Sequence, residues 1–381
     1  MTSKVFLSET EQDLTLQINN AITKGFNPTF GFVFCSYKKN IDHIISFYKD
    51  LNIQIVGSTT SGEISDTVTA EESIVTLLMD MDTDYYHIYH NAYNDKNEIE
   101  IIKEISETAA QKFDNPSFVL ISSGVTRDGE LLVQGIKENI SKETKIFGGL
   151  SGDDGIFKQP FSFSLNGITD DGVVALILDG DKIDVAGLAV SGWEGNGAIN
   201  TITKANGNMV YTINNQDALS FFVNHFGLED FYDKEQYNYI SMPGNYPLKM
   251  LGSDQHEKLR SIMNYDQKNK ALLLAGSVEE GQSFMFCLPP SIDVIDNAVE
   301  AFRGISKKQK KVDAIVMISC MARKLVFGPL IENELEGIKQ IWDSPIAGFF
   351  AYGELGKTGE DKYCNFHNCT SNLITFTEIS A

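Results

Sequence analysis

Three carboxylates stand at one offset from a glycine: Gly57 and Glu63, Gly148 and Asp154, and Gly348 and Glu354 are each six positions apart. They lie in IQIVGSTTSGEIS, KIFGGLSGDDGIF and SPIAGFFAYGELG, where an apolar run passes into a glycine-rich turn carrying the acid. A carboxylate on such a turn can accept a ligand's amino group, or it can accept loop amides and hold the turn's shape. Glycines such as Gly62 and Gly149 let backbone or ligand come close. Asp153, beside Asp154, adds a second acid to the middle turn.

Other candidates cluster near the C-terminus. SCMARK sets Cys320 near Arg323, and a thiolate beside a guanidinium is activated. Two residues separate them where the phosphatase loop has five. NFHNCT supplies His367 and Asn368, so a Cys320–His367 pair raises the alternative of a cysteine-dependent hydrolase. The competing reading is that strand-end cysteines are small packing residues. His225 lies in LSFFVNHFG among Phe221, Phe222 and Phe226, an apolar setting that suits either a core helix or an axial haem ligand. His87 and His90, three apart on an expected strand, point to opposite faces and cannot share a metal. His256 stands among charges. No P-loop, G-x-S-x-G elbow, H-E-x-x-H or dinucleotide-binding G-x-G-x-x-G is present.

The elements that must position these residues follow one plan three times. The first unit reads as strand 29–35, a helix capped by Asn40, strand IQIVG, the turn and strand 73–79. The second reads as strand 117–122, a helix through Leu132 and Ile136, KIFGG, the turn and strand 172–178. The third reads as strand 313–319, a helix through Leu335 and Ile338, PIAGFF, the turn and strand 372–376. Continuous apolar strands alternating with amphipathic helices predict an α/β fold of mixed sheets covered by helices. Further helices are expected over 97–113, 216–227 and 293–305, and residues 271–288 read as a hairpin. The glycine-rich stretch 191–209 places a domain boundary near 200, giving domains 1–200 and 201–381, with the ligand pocket between the two halves.

A formal net charge of −21 over 381 residues disfavours nucleic acid and anionic membrane surfaces as partners. The N-terminal stretch has no apolar signal region, and no run of about 18 apolar residues reads as a membrane span. Five cysteines, an odd count without C-x-x-C spacing, fit reduced thiols in a cytoplasm.

Taken together, these residues resemble the FIST family of signal-transduction sensory proteins. IVGSTTSGEIS and FGGLSGDD resemble motifs of its N-terminal domain; SCMAR, PIAGFFAYGEL and FHNCT resemble three successive motifs of its C-terminal domain. GNYPLKMLG, Arg260 and LAGSVEEGQSF fit the region before them, so the resemblance spans roughly 25–378. It implies a ligand-sensing module, not an enzyme, that binds a small amino-acid-like molecule at Cys320, Arg323, Glu354, His367, Asn368, Gly62, Glu63, Gly149, Asp153 and Asp154. Arg323 would hold a carboxylate and an acid an amino group. With no kinase, receiver or cyclase segment read in the chain, the signal would pass to a separate protein. Stand-alone members also resemble haem-containing nitric-oxide sensors that regulate a histidine kinase. That alternative requires haem, with His225 as its ligand on local apolarity.

Overall fold

The computed structural model describes the chain except residues 94–95, 124, 126–127, 229–245, 252–257, 360–362 and 380–381. The fold is α/β. The chain divides into two compact units: a larger one of Met1–Val190, Asp293–Phe366 and Thr370–Ala381, and a smaller one of Ser191–Ile292 with His367–Cys369.

The larger unit holds three six-stranded sheets of one design. In the first, the order is Ser3–Ser8, Ile74–Met79, Phe30–Ser36, Gln54–Thr60, Ser162–Ser164 and Gly167–Thr169. In the second it is Tyr86–Ala92, Gly172–Asp179, Pro116–Ser122, Ile146–Leu150, Gly353–Gly356 and Asn365–His367. In the third it is Ile183–Val190, Ser371–Glu378, Ala314–Cys320, Ile346–Ala351, Glu63–Ser65 and Val68–Ala70. The third and fourth strands of each sheet are parallel, and a helix connects them, as a parallel pair requires. Those helices are Ile41–Asp50, Gly129–Asn139 and the Met321–Phe327 and Ile331–Ile341 pair.

Each sheet borrows its last hairpin. The hairpin that follows the first turn completes the third sheet, that of the second completes the first sheet, and that of the third completes the second. This cyclic exchange binds the three segments around one core. Phe34 meets Phe349 with ring centroids 4.8 Å apart, and Phe32 meets Phe376 at 5.6 Å. Val119, Ile121 and Val174 join them from the second sheet. On the opposite face of the first sheet, Val33, Cys35 and Ile55 pack under Leu14, Ile18, Ile44 and Tyr48. Both faces are therefore covered, which is why the strands carry unbroken apolar runs. Asn40 caps its helix by accepting from the His43 amide at 3.0 Å.

The smaller unit is an eight-stranded antiparallel sheet with the helix Ala218–Phe226 packed on it. Residues 271–288 differ from the expected hairpin. Ala271–Leu274 pairs with Met209–Ile213 and Ile262–Asp266, whereas Ser283–Leu288 pairs with Glu194–Asn206 and Leu248–Leu251. The Glu-Glu-Gly turn between them joins strands that pair with other partners. Among the described residues, no helix is long and apolar enough to cross a membrane.

Candidate functional site

The three glycine turns meet at the ends of the parallel strands. The Ser61 amide donates to the Phe350 carbonyl at 2.9 Å, Gly152 to Thr59 at 3.0 Å, and Tyr352 to Leu150 at 3.1 Å. Donor and acceptor occupy the same place in each turn, so the bonds form a closed ring of first to third, second to first and third to second. Opposite Gly57, Gly148 and Gly348 in the sheet registers stand Phe163, Leu355 and Ile64. A Cβ at Gly57 would lie 2.0 Å from the Phe163 ring, so only glycine admits that crossing.

The register also decides which residues correspond. Glu63 and Glu354 directly precede Ile64 and Leu355, but the residue before Phe163 is Ser162. Asp154 shares only the sequence offset, because the middle turn carries extra residues before its hairpin begins. That excursion frees Asp154 for another task.

Both glutamates are buried and tie their turns to the start of a returning strand. Glu63 accepts from the Ser73 amide and hydroxyl at 3.1 and 2.7 Å, and from the Thr60 hydroxyl. Burial pushes its acid up to about 7. Glu354 accepts from the Thr370 amide and hydroxyl at 3.2 and 2.8 Å. Burial, and then the neighbouring Cys320, raise it well above the ordinary carboxylate range. Glu354 sits opposite Gly149 in the sheet register.

Asp153 organises the middle loop. Its carboxylate accepts from the amides of Phe157, Lys158 and Gln159 at 2.8, 2.8 and 2.9 Å, and from the Tyr352 hydroxyl. The loop places Asp154 and Phe157 at φ of 55°, left-handed backbone that costs a non-glycine residue free energy. Asp154 is exposed, and the Ser36 hydroxyl donates to it at 3.0 Å. Burial of its surroundings raises the acid despite Ser36, Lys324 and Lys38. Lys324 reaches over the first turn: its ammonium lies against Gly62, donates to the Ser61 carbonyl at 2.8 Å, and sits 5.5 Å above the Phe350 ring.

Arg323 lies elsewhere. It is fully buried and ion-paired with Glu334, which also accepts from Ser371. Its guanidinium rests 5.3 Å from the Phe327 ring centroid. His367 and Asn368 fall in the smaller unit, both buried; Asn368 accepts from the Ser261 amide at 3.4 Å. Of GNYPLKMLG, only Tyr246 to Leu251 are described, and His256 lies outside the described residues.

His225 is exposed near the end of its helix, tilted by 40° against Phe286 with ring centroids 4.9 Å apart and edge-on to Phe226 at 4.7 Å. Phe222 turns inward to the core of the smaller unit. The described residues thus form a packed aromatic edge at His225 rather than an apolar slot, and do not fit a haem there. No group of three or more His, Cys, Asp or Glu among the described residues is placed to hold a metal ion.

Sequence reasoning missed Lys324, Thr60, Ser73, Thr370 and Glu334. Lys324 had a signal, being next to Arg323 in SCMARK. The hydroxyl residues had none, since only the fold brings them to the acids.

Three exchanged sheets around one core, with strand-end turns interlocked and their acids largely engaged, define the α/β scaffold. The chain belongs to the FIST family: the FIST N domain matches residues 29–216 and the FIST C domain residues 218–357. FIST domains are sensory modules of signal transduction. Among curated proteins, none matches the chain.

Proposed function

We propose that the chain senses a small amino-acid-like molecule at the ring of turns and passes the signal to a separate protein, such as a histidine kinase, in the cytoplasm. The carrying observation is Asp154, an exposed carboxylate fixed in left-handed backbone on a clamped loop, within the field of Lys324. Strained backbone of this kind persists where the surroundings hold a group in place for use. Lys324 pairs at 2.9 Å with Glu71, whose side chain is 74% exposed, so a ligand carboxylate can replace Glu71 at little cost. A ligand ammonium then meets Asp154. Gly62, beneath the Lys324 ammonium, leaves room that a side chain would fill. Five buried cysteines held as thiols suit a reducing compartment.

Thermal denaturation of the whole chain with each L-amino acid tests this. A true ligand at a hundredfold excess over its Kd stabilises by about 2.7 kcal/mol. Asp154→Asn and Lys324→Met should each abolish the shift. Absence of any shift across the panel, or an equal shift in both variants, sinks the reading.

A further inference from the structure

The three sheets share one strand order, so their outermost strands Ser3–Ser8, Tyr86–Ala92 and Ile183–Val190 occupy equivalent edges. A bare edge offers its amides and carbonyls to any other strand, and proteins blunt it with charge or cover. Ser3–Ser8 carries Lys4. Ile183–Val190 carries Asp184 and gives its Ala189 amide to the Lys357 carbonyl at 2.8 Å. Tyr86–Ala92 reads YHIYHNA, without lysine, acid or proline. Burial holds both His87 and His90 below the usual histidine value, so the strand stays uncharged in a chain of net charge −21. It pairs with Gly172–Asp179 along its whole length without a bulge, and among the described residues no strand lies on its other side.

The register fixes what this edge presents. The Tyr93 amide donates to the Asp171 carbonyl, and alternation along the ladder then bonds Asn91, Tyr89 and His87 to the neighbouring strand. Tyr86, Ile88 and His90 therefore point their amides and carbonyls outward. His87 to Ala92 are half-buried, as an uncovered edge leaves them.

The ground beside the edge is self-complementary. The helix Glu98–Lys112 runs alongside: Glu104 accepts from the Tyr89 hydroxyl at 2.7 Å and from the Asn91 side-chain amide at 3.3 Å, while Lys112, at the other end, acts on His87. In an antiparallel pair of two copies, a two-fold axis at Ile88 or Tyr89 sets His87 opposite the second copy's Tyr89 or Asn91. Lys112 of each copy then approaches Glu104 of the other. Opposite charges meet at both ends of the seam, although the chains as wholes repel.

We propose that two copies of the chain join edge to edge through Tyr86–Ala92, antiparallel about a two-fold axis, merging two six-stranded sheets into one. A self-complementary contact of this kind consumes both edges and closes at two.

Sedimentation velocity of the whole chain over a dilution series tests this, with amide hydrogen exchange read at both ends of the series. The parent should pass from dimer to monomer on dilution, and the Ile88 and His90 amides should lose protection with it. Ile88→Pro removes a donor that points away from its own sheet, so the variant should stay folded by circular dichroism and remain monomeric. Should it not fold, the exchange of the two amides in the parent decides alone. Lys112→Glu, at an exposed position, should raise the dimer dissociation constant about tenfold at low salt. A chain that is monomeric throughout overturns the proposal: both amides exchanging freely would leave the edge to a different protein, and both protected would mean that another part of the chain covers it. A dimer unaltered by Ile88→Pro, or amides that exchange alike in dimer and monomer, places the interface elsewhere and overturns it too.

Discussion

The hydroxyl of Tyr352 donates to the Asp153 carboxylate and accepts from the amides of Asp153 and Gly155 at 3.2 and 3.0 Å. One phenol from the third turn thereby uses its donor and both acceptor positions on the second. The Phe157 ring stacks on it at 4.3 Å. Tyr352→Phe keeps the stack and leaves two buried amides without their acceptor. The variant should lose about 1–3 kcal/mol in urea denaturation, and the amides of Asp153 and Gly155 should exchange faster. Unchanged exchange at both would refute the clamp.

The stability of the protein should fall as pH rises from 4.5 towards 7, because of Glu63. Its ordinary value is 4.5 and its folded value about 7. In that window the unfolded chain has released the proton while the folded protein still holds it. The favourable contribution is therefore complete below 4.5, declines through the window and is gone above about 7. At about 1.4 kcal/mol per unit, the whole effect is on the order of 3 kcal/mol. Glu63→Gln keeps an acceptor oxygen for Ser73 and should flatten this part of the curve. A parallel curve in the variant would assign the pH dependence to another group.

The strands were legible because burial on both faces writes itself as continuous apolar residues. FGFVFC and AIVMIS fall in observed strands, and Asn40 signals its helix start locally. What stayed hidden is non-local. Nothing in GEIS says that its strand joins Ile346–Ala351 across the molecule, since a three-residue strand carries no pattern that selects a partner. For the same reason, counting six residues from Gly148 reached Asp154, although it is Ser162 that holds, in its own sheet, the register position of the two glutamates. The polar site was half visible: acids and glycines stand out in a sequence, whereas Ser36, Thr60 and Ser73 look like any loop hydroxyls until the fold gathers them. For Arg323, a cysteine–arginine motif suggested a ligand contact, but the residue that meets it, Glu334, lies a helix away.

Removing one side of the Arg323–Glu334 pair leaves an uncompensated charge in a dry interior. Arg323→Met or Glu334→Leu alone should cost about 3–5 kcal/mol, and the double replacement should recover most of it. Chemical denaturation of the three variants decides this. Additive losses would mean that the two charges act independently.

All five cysteines are buried thiols outside any disulfide. A thiol reagent should therefore find none in the native protein over minutes, and five after denaturation without reductant. Fast reaction of Cys320 in the native state would instead mark it as an accessible nucleophile and revive the hydrolase alternative.

Gly57 and Gly304 should respond to alanine in opposite directions. At Gly57 the added Cβ would stand 2.0–2.5 Å from three atoms of the fully buried Phe163 ring. That ring comes from the second segment and crosses the first sheet at this point, so it cannot move without pulling the exchanged hairpin. Overpacking of this kind costs about 1–3 kcal/mol. Gly304 lies within the helix Asp293–Ser306 with nothing within 4 Å of an added Cβ. Alanine there should stabilise by about 0.5–1 kcal/mol through helix propensity alone. Combining Gly57→Ala with Phe163→Leu separates crowding from backbone effects. Partial recovery shows that the ring is what the glycine accommodates, whereas a further loss means that the Gly57 backbone, not the space above it, is what the crossing needs.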